Sequence, residues 1–191
     1  LYCDGEPSIM MLESIDRWMT AMVSDEGSGG EGPDVSMEAV VISKERGVIC
    51  GTFVIDRLLE IHYPSCSVEW KVSEGSIVEV GDEVLRISGN GVEMLRSERV
   101  LLNIIGRLSG ISTNSSRWIN EAGSMGVAST RKVDWGLLDK WAVHVGGGLT
   151  HRLSREDALM IKDSEVLSSR VGDETEDEAL ARLVLEIDMD T

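Results

Sequence analysis

Two pairs of basic side chains, Arg131-Lys132 and His151-Arg152, stand twenty residues apart, each closing a short apolar run. A triple glycine, Gly146-Gly147-Gly148, lies just before the second pair, and Lys162 closes a further apolar run, Leu159-Met160-Ile161. Guanidinium and ammonium groups hold carboxylates and phosphates through charge-assisted hydrogen bonds, and the planar guanidinium does so two bonds at a time. The chemistry of such a set is the capture of a small polyanion. Near the end of the chain Glu186 and Asp188 are two residues apart in the apolar run Val184–Asp188. On a strand that spacing puts both carboxylates on one face, where they can steady a developing positive charge.

The charge count supports an anionic ligand. From Arg99 to Lys162 there are nine Lys/Arg against five Asp/Glu, a balance of +4, whereas the rest carries nine against twenty-nine, or −20. A positive island in so acidic a chain calls for an anion or internal partners. Taken singly, each cation has a plainer reading. Glu98-Arg99 is ordinary helix surface charge, Arg131 or Arg152 a routine ion pair, and Lys162-Asp163 a strand-end salt bridge.

The formal charge of −16 over 191 residues argues against nucleic-acid binding, because phosphates would be repelled. It fits a soluble acidic surface or a high-salt setting. With 42% hydrophobic residues the chain can bury a core. Cys3, Cys50 and Cys66 are widely spaced and form no CxxC pair, so reduced thiols in a cytoplasmic compartment are expected, not a disulfide framework or a zinc site. No apolar run has membrane-spanning length, and the first residues lack the pattern of a secretion signal.

The elements that must position these residues follow from periodicity. Leu12, Ile15, Met19 and Met22 predict a helix over about 8–23, and the acidic, glycine-rich stretch 24–36 a loop. Met37–Ile42 and Gly47–Cys50 predict a hairpin, Thr52–Ile61 a helix, and alternation at Val68, Trp70 and Val72 a half-buried strand. Short strands are expected at Ser76–Val80 and Glu83–Ser88. Their glycine-turn rhythm is similar to a lipoyl carrier fold, but the exposed Met-Lys-Met-like lysine of a carrier is absent. Leu101, Ile104, Ile105 and Leu108 predict a helix that Gly110 ends. Beyond it, Arg117–Ala122, Gly136–Val145 and Glu176–Leu183 are expected as helices, and Val127–Thr130, Leu159–Ile161 and Val184–Asp188 as strands. Such alternation predicts parallel βα units, in which reactive groups sit at the carboxyl ends of the strands.

Five segments in order, SERVLLNIIGRLSGIST (97–113), STRK (129–132), LDKWAVHVGGGLTHR (138–152), DALMIKD (157–163) and LEID (185–188), give the chain a specific resemblance. Together they resemble quinolinate phosphoribosyltransferase, the carboxylating nicotinate-nucleotide pyrophosphorylase. The resemblance implies an α/β protein: an α+β open-faced sandwich over 1–109, then the first part of a parallel α/β barrel over 110–191. It implies a pentosyltransferase of NAD biosynthesis that joins quinolinate to phosphoribosyl pyrophosphate, giving nicotinate mononucleotide, pyrophosphate and CO2. Magnesium accompanies the pyrophosphate, and the family works as a homodimer or higher homo-oligomer. By the same resemblance Arg131, Lys132, His151 and Arg152 surround the substrate carboxylates, Arg99 reaches in from a neighbouring subunit, and Lys162 meets phosphate oxygens. Glu186 attends the ribose or magnesium, with Asp188 beside it, and Glu186, Lys132 and Lys162 are the expected catalytic groups.

Three departures qualify the pattern. Val133-Asp134-Trp135 replace a Thr and a proline turn after STRK, and Ser164-Glu165 replace Asn-His after Lys162-Asp163. Only 82 residues run from Gly110 to Thr191, against about 200 or more for a closed α/β barrel. The chain is therefore expected to be an N-terminal fragment or a truncated paralogue. A related transferase for nicotinate or another pyridine acid, and a non-catalytic paralogue that binds ligand or dimerises, are the alternatives.

Overall fold

The computed structural model describes residues 1–3, 6–27, 32–153, 157 and 160–189, without the side chains of 2, 3, 6 and 187–189. The chain forms two units, Leu1–His151 and Arg152–Thr191.

The first unit opens with the short antiparallel pair β1 (Tyr2–Cys3) and β2 (Glu6–Pro7), then helix α1 (Ile9–Glu26). Ser8 caps α1, its hydroxyl accepting the amide N–H of Met11 at 3.3 Å. Met11, Ile15 and Met19, one turn apart, are wholly buried, so the stripe begins one residue before Leu12. Strand β3 (Ser36–Ile42) is followed by β4 (Gly47–Val48), helix α2 (Thr52–His62), β5 (Ser67–Trp70), β6 (Ile77–Val78) and β7 (Glu83–Asn90).

The expected hairpin between Met37–Ile42 and Gly47–Cys50 does not form. β3 pairs antiparallel with β7, from Ser36 opposite Asn90 to Ile42 opposite Glu83, and β4 pairs with β6. A seven-residue ladder on β7 satisfies more backbone groups than the two-residue β4 can offer. The order β3-β7-β5 gives a three-stranded antiparallel sheet.

Helix α3 (Gly91–Ala122) begins under an Asn90 cap and runs unbroken for 32 residues, through Gly110. The expectation that Gly110 ends it is wrong. A glycine in a helix interior costs about 1 kcal/mol, less than burial of Leu101, Ile104, Ile105 and Leu108 on the turns before it returns. Ser112 and Ser115 extend the buried face beyond it. Helix α4 (Leu137–Val145) adds Leu138, Trp141 and Ala142 to the same apolar cluster as α1, α2, α3 and β7. Mixed helix and antiparallel sheet, with one parallel contact, put the chain in the α/β class.

Among its described residues the second unit holds two helices, α5 (Asp163–Ser169) and α6 (Glu176–Met189). Two expected strands are corrected here. The Leu159–Ile161 strand lies partly outside the described residues, and Ile161 itself is in no strand. Val184–Asp188 is helical and continues α6. Its start is fixed by a capping box: Glu178 accepts the Thr175 amide at 2.8 Å, and the Thr175 hydroxyl accepts the Glu178 amide at 3.3 Å. No glycine or proline stops the helix before Met189, and no described residue of this unit forms a strand beside which Val184–Asp188 could pair. A lone strand leaves its backbone unsatisfied; a helix does not.

Candidate anion-binding site

The first unit carries a minimal parallel pair. Ala128 bridges Leu149 in parallel, the Leu149 amide donating to the Val127 carbonyl at 2.9 Å and the Ser129 amide to the Leu149 carbonyl at 2.7 Å. Helix α4 crosses between the two segments, so 127–150 is one strand–helix–strand turn reduced to its hydrogen bonds. The triple glycine makes the crossover possible. A Cβ on Gly146 would collide with the Ser112 carbonyl of α3, and Gly147 has φ 94°, open to glycine and strained for other residues. The chain thus turns tightly off α4 and back beside residue 128.

Arg131-Lys132 and His151 follow directly on the two segments, at their carboxyl ends. Arg131 and Lys132 are exposed, and the Lys132 amide donates to the Thr130 hydroxyl at 3.2 Å. His151 is exposed and has φ 56°, the one positive value outside glycine among the described residues. Such a backbone costs free energy and persists where the surroundings enforce it. Here Lys140, only 3% exposed, donates its ammonium to the Thr150 carbonyl at 2.7 Å, fixing the residue before His151 from within α4.

Two further side chains shape this site, and neither stood out in the sequence. Asp139, 4% exposed, accepts the amides of Asp134 and Trp135, each at 3.0 Å. It also takes a two-pronged contact from Arg107 of α3, Nε at 3.0 Å and Nη2 at 2.8 Å. The only sequence signal was the position of Asp139 in the first turn of a helix, where a carboxylate reaches back to preceding amides. Asp134, in the segment that departs from the resembled pattern, is held by Arg107 at 3.2 Å.

The other predicted residues fall elsewhere. Arg99 lies eight residues before Arg107 on α3, about 12 Å along the helix axis, and is paired with Glu26 of α1. Arg152 opens the second unit; it is buried, with its guanidinium 3.6 Å from the Met160 sulfur. Lys162 does not end a strand. It is the exposed residue that starts α5, and its amide donates to Glu165 at 2.8 Å. Glu165, which replaces a cationic ring in the resembled pattern, thereby serves as a helix cap. Glu186 is not on a strand: it lies on α6 and pairs with Arg182 at 3.1 Å. An i, i+2 spacing shares a face on a strand but not on a helix, and the Asp188 side chain lies outside the described residues. Around Glu186 the described residues show an ion pair and no metal cluster: its carboxylate is engaged by Arg182, and they contain no group of three or more His, Cys, Asp or Glu suited to a metal.

Hollows large enough for a small molecule lie elsewhere among the described residues. One, of about 410 Å³, lies between Ser43–Ile49 and the Gly106–Arg117 stretch of α3; the other, about 490 Å³, is an apolar groove between β3 and α3. Neither is lined by Arg131, Lys132 or His151, which are exposed on the surface. No described helix is long and apolar enough to cross a membrane.

Comparison with known proteins gives a consistent picture. The family description "Quinolinate phosphoribosyl transferase, N-terminal domain" matches residues 19–109, and the corresponding C-terminal domain matches 111–186. The chloroplastic nicotinate-nucleotide pyrophosphorylase (carboxylating) of Arabidopsis thaliana is 38% identical over 135 residues, 70% of this chain and 39% of that protein. A probable nicotinate-nucleotide pyrophosphorylase (carboxylating) of Archaeoglobus fulgidus is 35% identical over 140 residues, covering 70% of this chain and 54% of that protein. The crystal structure of NadC from Streptococcus pyogenes superposes with a TM-score of 0.74 at 28% identity, over 82% of this chain and 60% of that one. This chain thus spans less than two thirds of the length of these relatives. With both domain descriptions matched in order along it, the chain belongs to the quinolinate phosphoribosyl transferase family.

Proposed function

We propose that the chain acts in quinolinate phosphoribosyl transfer: quinolinate and phosphoribosyl pyrophosphate give nicotinate mononucleotide, pyrophosphate and CO2 in NAD biosynthesis. The observation that carries the reading is the convergence of Arg131-Lys132 and His151 on the carboxyl ends of two hydrogen-bonded parallel segments, where α/β proteins keep their reactive groups. Arg131 takes one carboxylate of the diacid through paired N–H donors, and Lys132 serves as a point charge beside it. His151 follows the adjoining segment and brings an imidazole to the same end of the pair. In this reading the pyridine nitrogen displaces pyrophosphate from the ribose carbon. Loss of one carboxylate as CO2 then leaves negative charge on the ring, which fixed cations stabilise until a proton replaces it.

Arg152 and Lys162, in the second unit, are assigned to carboxylate and phosphate oxygens by family membership. Magnesium enters as a companion of the pyrophosphate. Homodimerisation, with Arg99 presented to a partner, and a reducing, cytoplasmic setting complete the proposal. Nucleic acid has no place in it, given the charge of −16.

A second reading, ligand binding without turnover, is favoured by one observation: Glu186, the expected catalytic carboxylate, lies on a helix and not at a strand end. Calorimetric titration of the chain with quinolinate and nicotinate tests the binding step that both readings need. Quinolinate should bind, and Arg131→Ala should weaken it by at least about tenfold, the worth of a charge-assisted pair. Preference for the monoacid would redirect the proposal to another pyridine acid, and silence of the folded chain toward both would end it. Formation of nicotinate mononucleotide with phosphoribosyl pyrophosphate present then separates turnover from binding alone.

A further inference from the structure

Residues 131–136 cross from the first parallel segment to α4, and their first two members are exposed cations without an ion-pair partner among the described residues. A connection with neighbouring like charges has many conformations open to it, and ordering it when a ligand arrives subtracts from affinity. Its far end is not left open. The Asp139 carboxylate holds the amides of Asp134 and Trp135, and Arg107 grips that carboxylate from α3 with two N–H groups. Arg107 also reaches the Asp134 carboxylate, and its Cζ lies 4.7 Å from the centroid of the Trp135 ring. Trp135 also stacks on Trp18 of α1, with 6.0 Å between ring centroids. Backbone, carboxylate and indole of residues 134 and 135 are thus all tied to the helical core, two residues beyond Lys132.

We propose that Arg107 and Asp139 are positioning residues of the anion site, latching the far end of the 131–136 loop so that Arg131 and Lys132 meet the ligand already set. The inference rests on the reading that this loop binds a pyridine diacid. Arg107 is not a direct ligand in it: its Nε and Nη2 donors are occupied by Asp139 and Asp134, and its face by Trp135. A direct ligand can be replaced only with loss of a contact, whereas a latch acts on order that exists before any ligand is added. The two roles therefore differ in the unliganded chain.

The test uses the whole chain and two substitutions, Arg107→Gln and Asp139→Asn, with two readouts. Amide hydrogen exchange is followed without ligand, and quinolinate affinity by calorimetry. Exchange at Asp134 and Trp135 should accelerate about tenfold or more in both variants, while Ile104 and Ile105 in the α3 core keep wild-type protection. Quinolinate affinity should fall by about tenfold in both, the equivalent of ordering one residue on binding. Unchanged exchange at 134 and 135 would overturn the latch. Accelerated exchange with unchanged affinity would make the pair structural only and overturn its positioning role. Tighter binding in Asp139→Asn would mark Arg107 as a direct ligand released from its partner, and would also overturn it. If the wild-type chain binds no quinolinate, the functional reading falls and the positioning role with it. The exchange data still say whether the latch orders the loop, so the two failures are distinct.

Discussion

Glu74 and Trp141, 67 residues apart, meet where the sheet region joins α4: the indole Nε1–H donates to the Glu74 carboxylate at 2.9 Å. The same carboxylate accepts the amides of Gly51 and Thr52 at 2.8–3.0 Å, capping α2 from a loop more than twenty residues away. Gly51 has no side chain with which to cap the helix itself. One acidic residue therefore completes a helix start and anchors the helix that crosses between the two parallel segments. Glu74→Ala should lower unfolding free energy by about 2–3 kcal/mol, the loss of a charged cap and a buried partner together. Glu74→Gln, which keeps an acceptor, should lose about half of that. Denaturant melts of the three proteins check the order.

His151 carries the site's second prediction. In the left-handed region a residue with a Cβ is strained by about 1–2 kcal/mol, and glycine is not. Glycine gives back about 0.5–1 kcal/mol through its freedom in the unfolded chain. His151→Gly should therefore melt within about 1 kcal/mol of wild type, although a whole side chain is gone, while β-branched His151→Val should lose more. Both should bind quinolinate more weakly. A glycine variant that is clearly less stable yet binds normally would make His151 a structural residue.

What the sequence made legible was mostly local. The stripe on α3 and the α4 span follow from spacing, and the structure has both. The missing pieces depend on partners distant in the chain. Periodicity alone cannot say that β3 pairs with β7 and not β4, because both choices satisfy the same alternation. The run Val184–Asp188 is β-branched enough to suggest a strand, but a strand needs a neighbour and this unit offers none among its described residues. Glu186 changed role with that change of element. Arg107 and Asp139 were counted in the positive island and not paired, since 32 residues separate them and only the packing of α4 on α3 brings them together.

The second unit should be acid-labile. Hydrogen bonds from the Thr175 amide and hydroxyl hold Glu178 below the usual carboxylate range, and the Arg182 guanidinium does the same for Glu174. Groups with depressed folded values stabilise fully above their unfolded pKa, about 4.3. That stabilisation is lost as pH falls through the lower folded values. Helicity of α6 should therefore fade as pH drops below about 4, and Glu178→Gln should flatten that response. Residue-resolved chemical shifts across an acid titration would show it. Loss of α6 on raising pH would contradict the assignment.

Burial pushes the Cys50 thiol far up, with the Glu74 carboxylate adding to the effect, and burial raises Cys66 as well. Thiolate is the reactive form, so both should resist a disulfide reagent at about pH 8, where an exposed cysteine reacts. Cys50, wholly buried and with its backbone held by the Ser109 hydroxyl, should label only at the rate of global opening. Faster labelling at Cys50 than at Cys66 would mean that the contact of α2 with α3 opens locally.

The remaining prediction concerns the charge of −16. Ion pairs such as Arg46–Glu79 and Arg86–Glu83 are exposed and local, worth about 0–1 kcal/mol each, and salt weakens them. Repulsion among 34 acidic residues against 18 basic ones is spread over the whole surface and acts beyond contact range. Screening at higher ionic strength shortens its reach to about 3 Å at 1 M, from about 10 Å at 0.1 M. Relief of the long-range term should outweigh loss of the pairs, so the thermal midpoint should rise between about 0.02 and 0.5 M sodium chloride. A general screening effect is the same for sodium and potassium chloride at equal ionic strength. Phosphate or sulfate should add stability beyond that, because an anion seated at Arg131 and Lys132 binds the folded chain alone. That surplus should vanish in Arg131→Ala while the chloride response persists, separating the charge of the whole surface from the charge of the site.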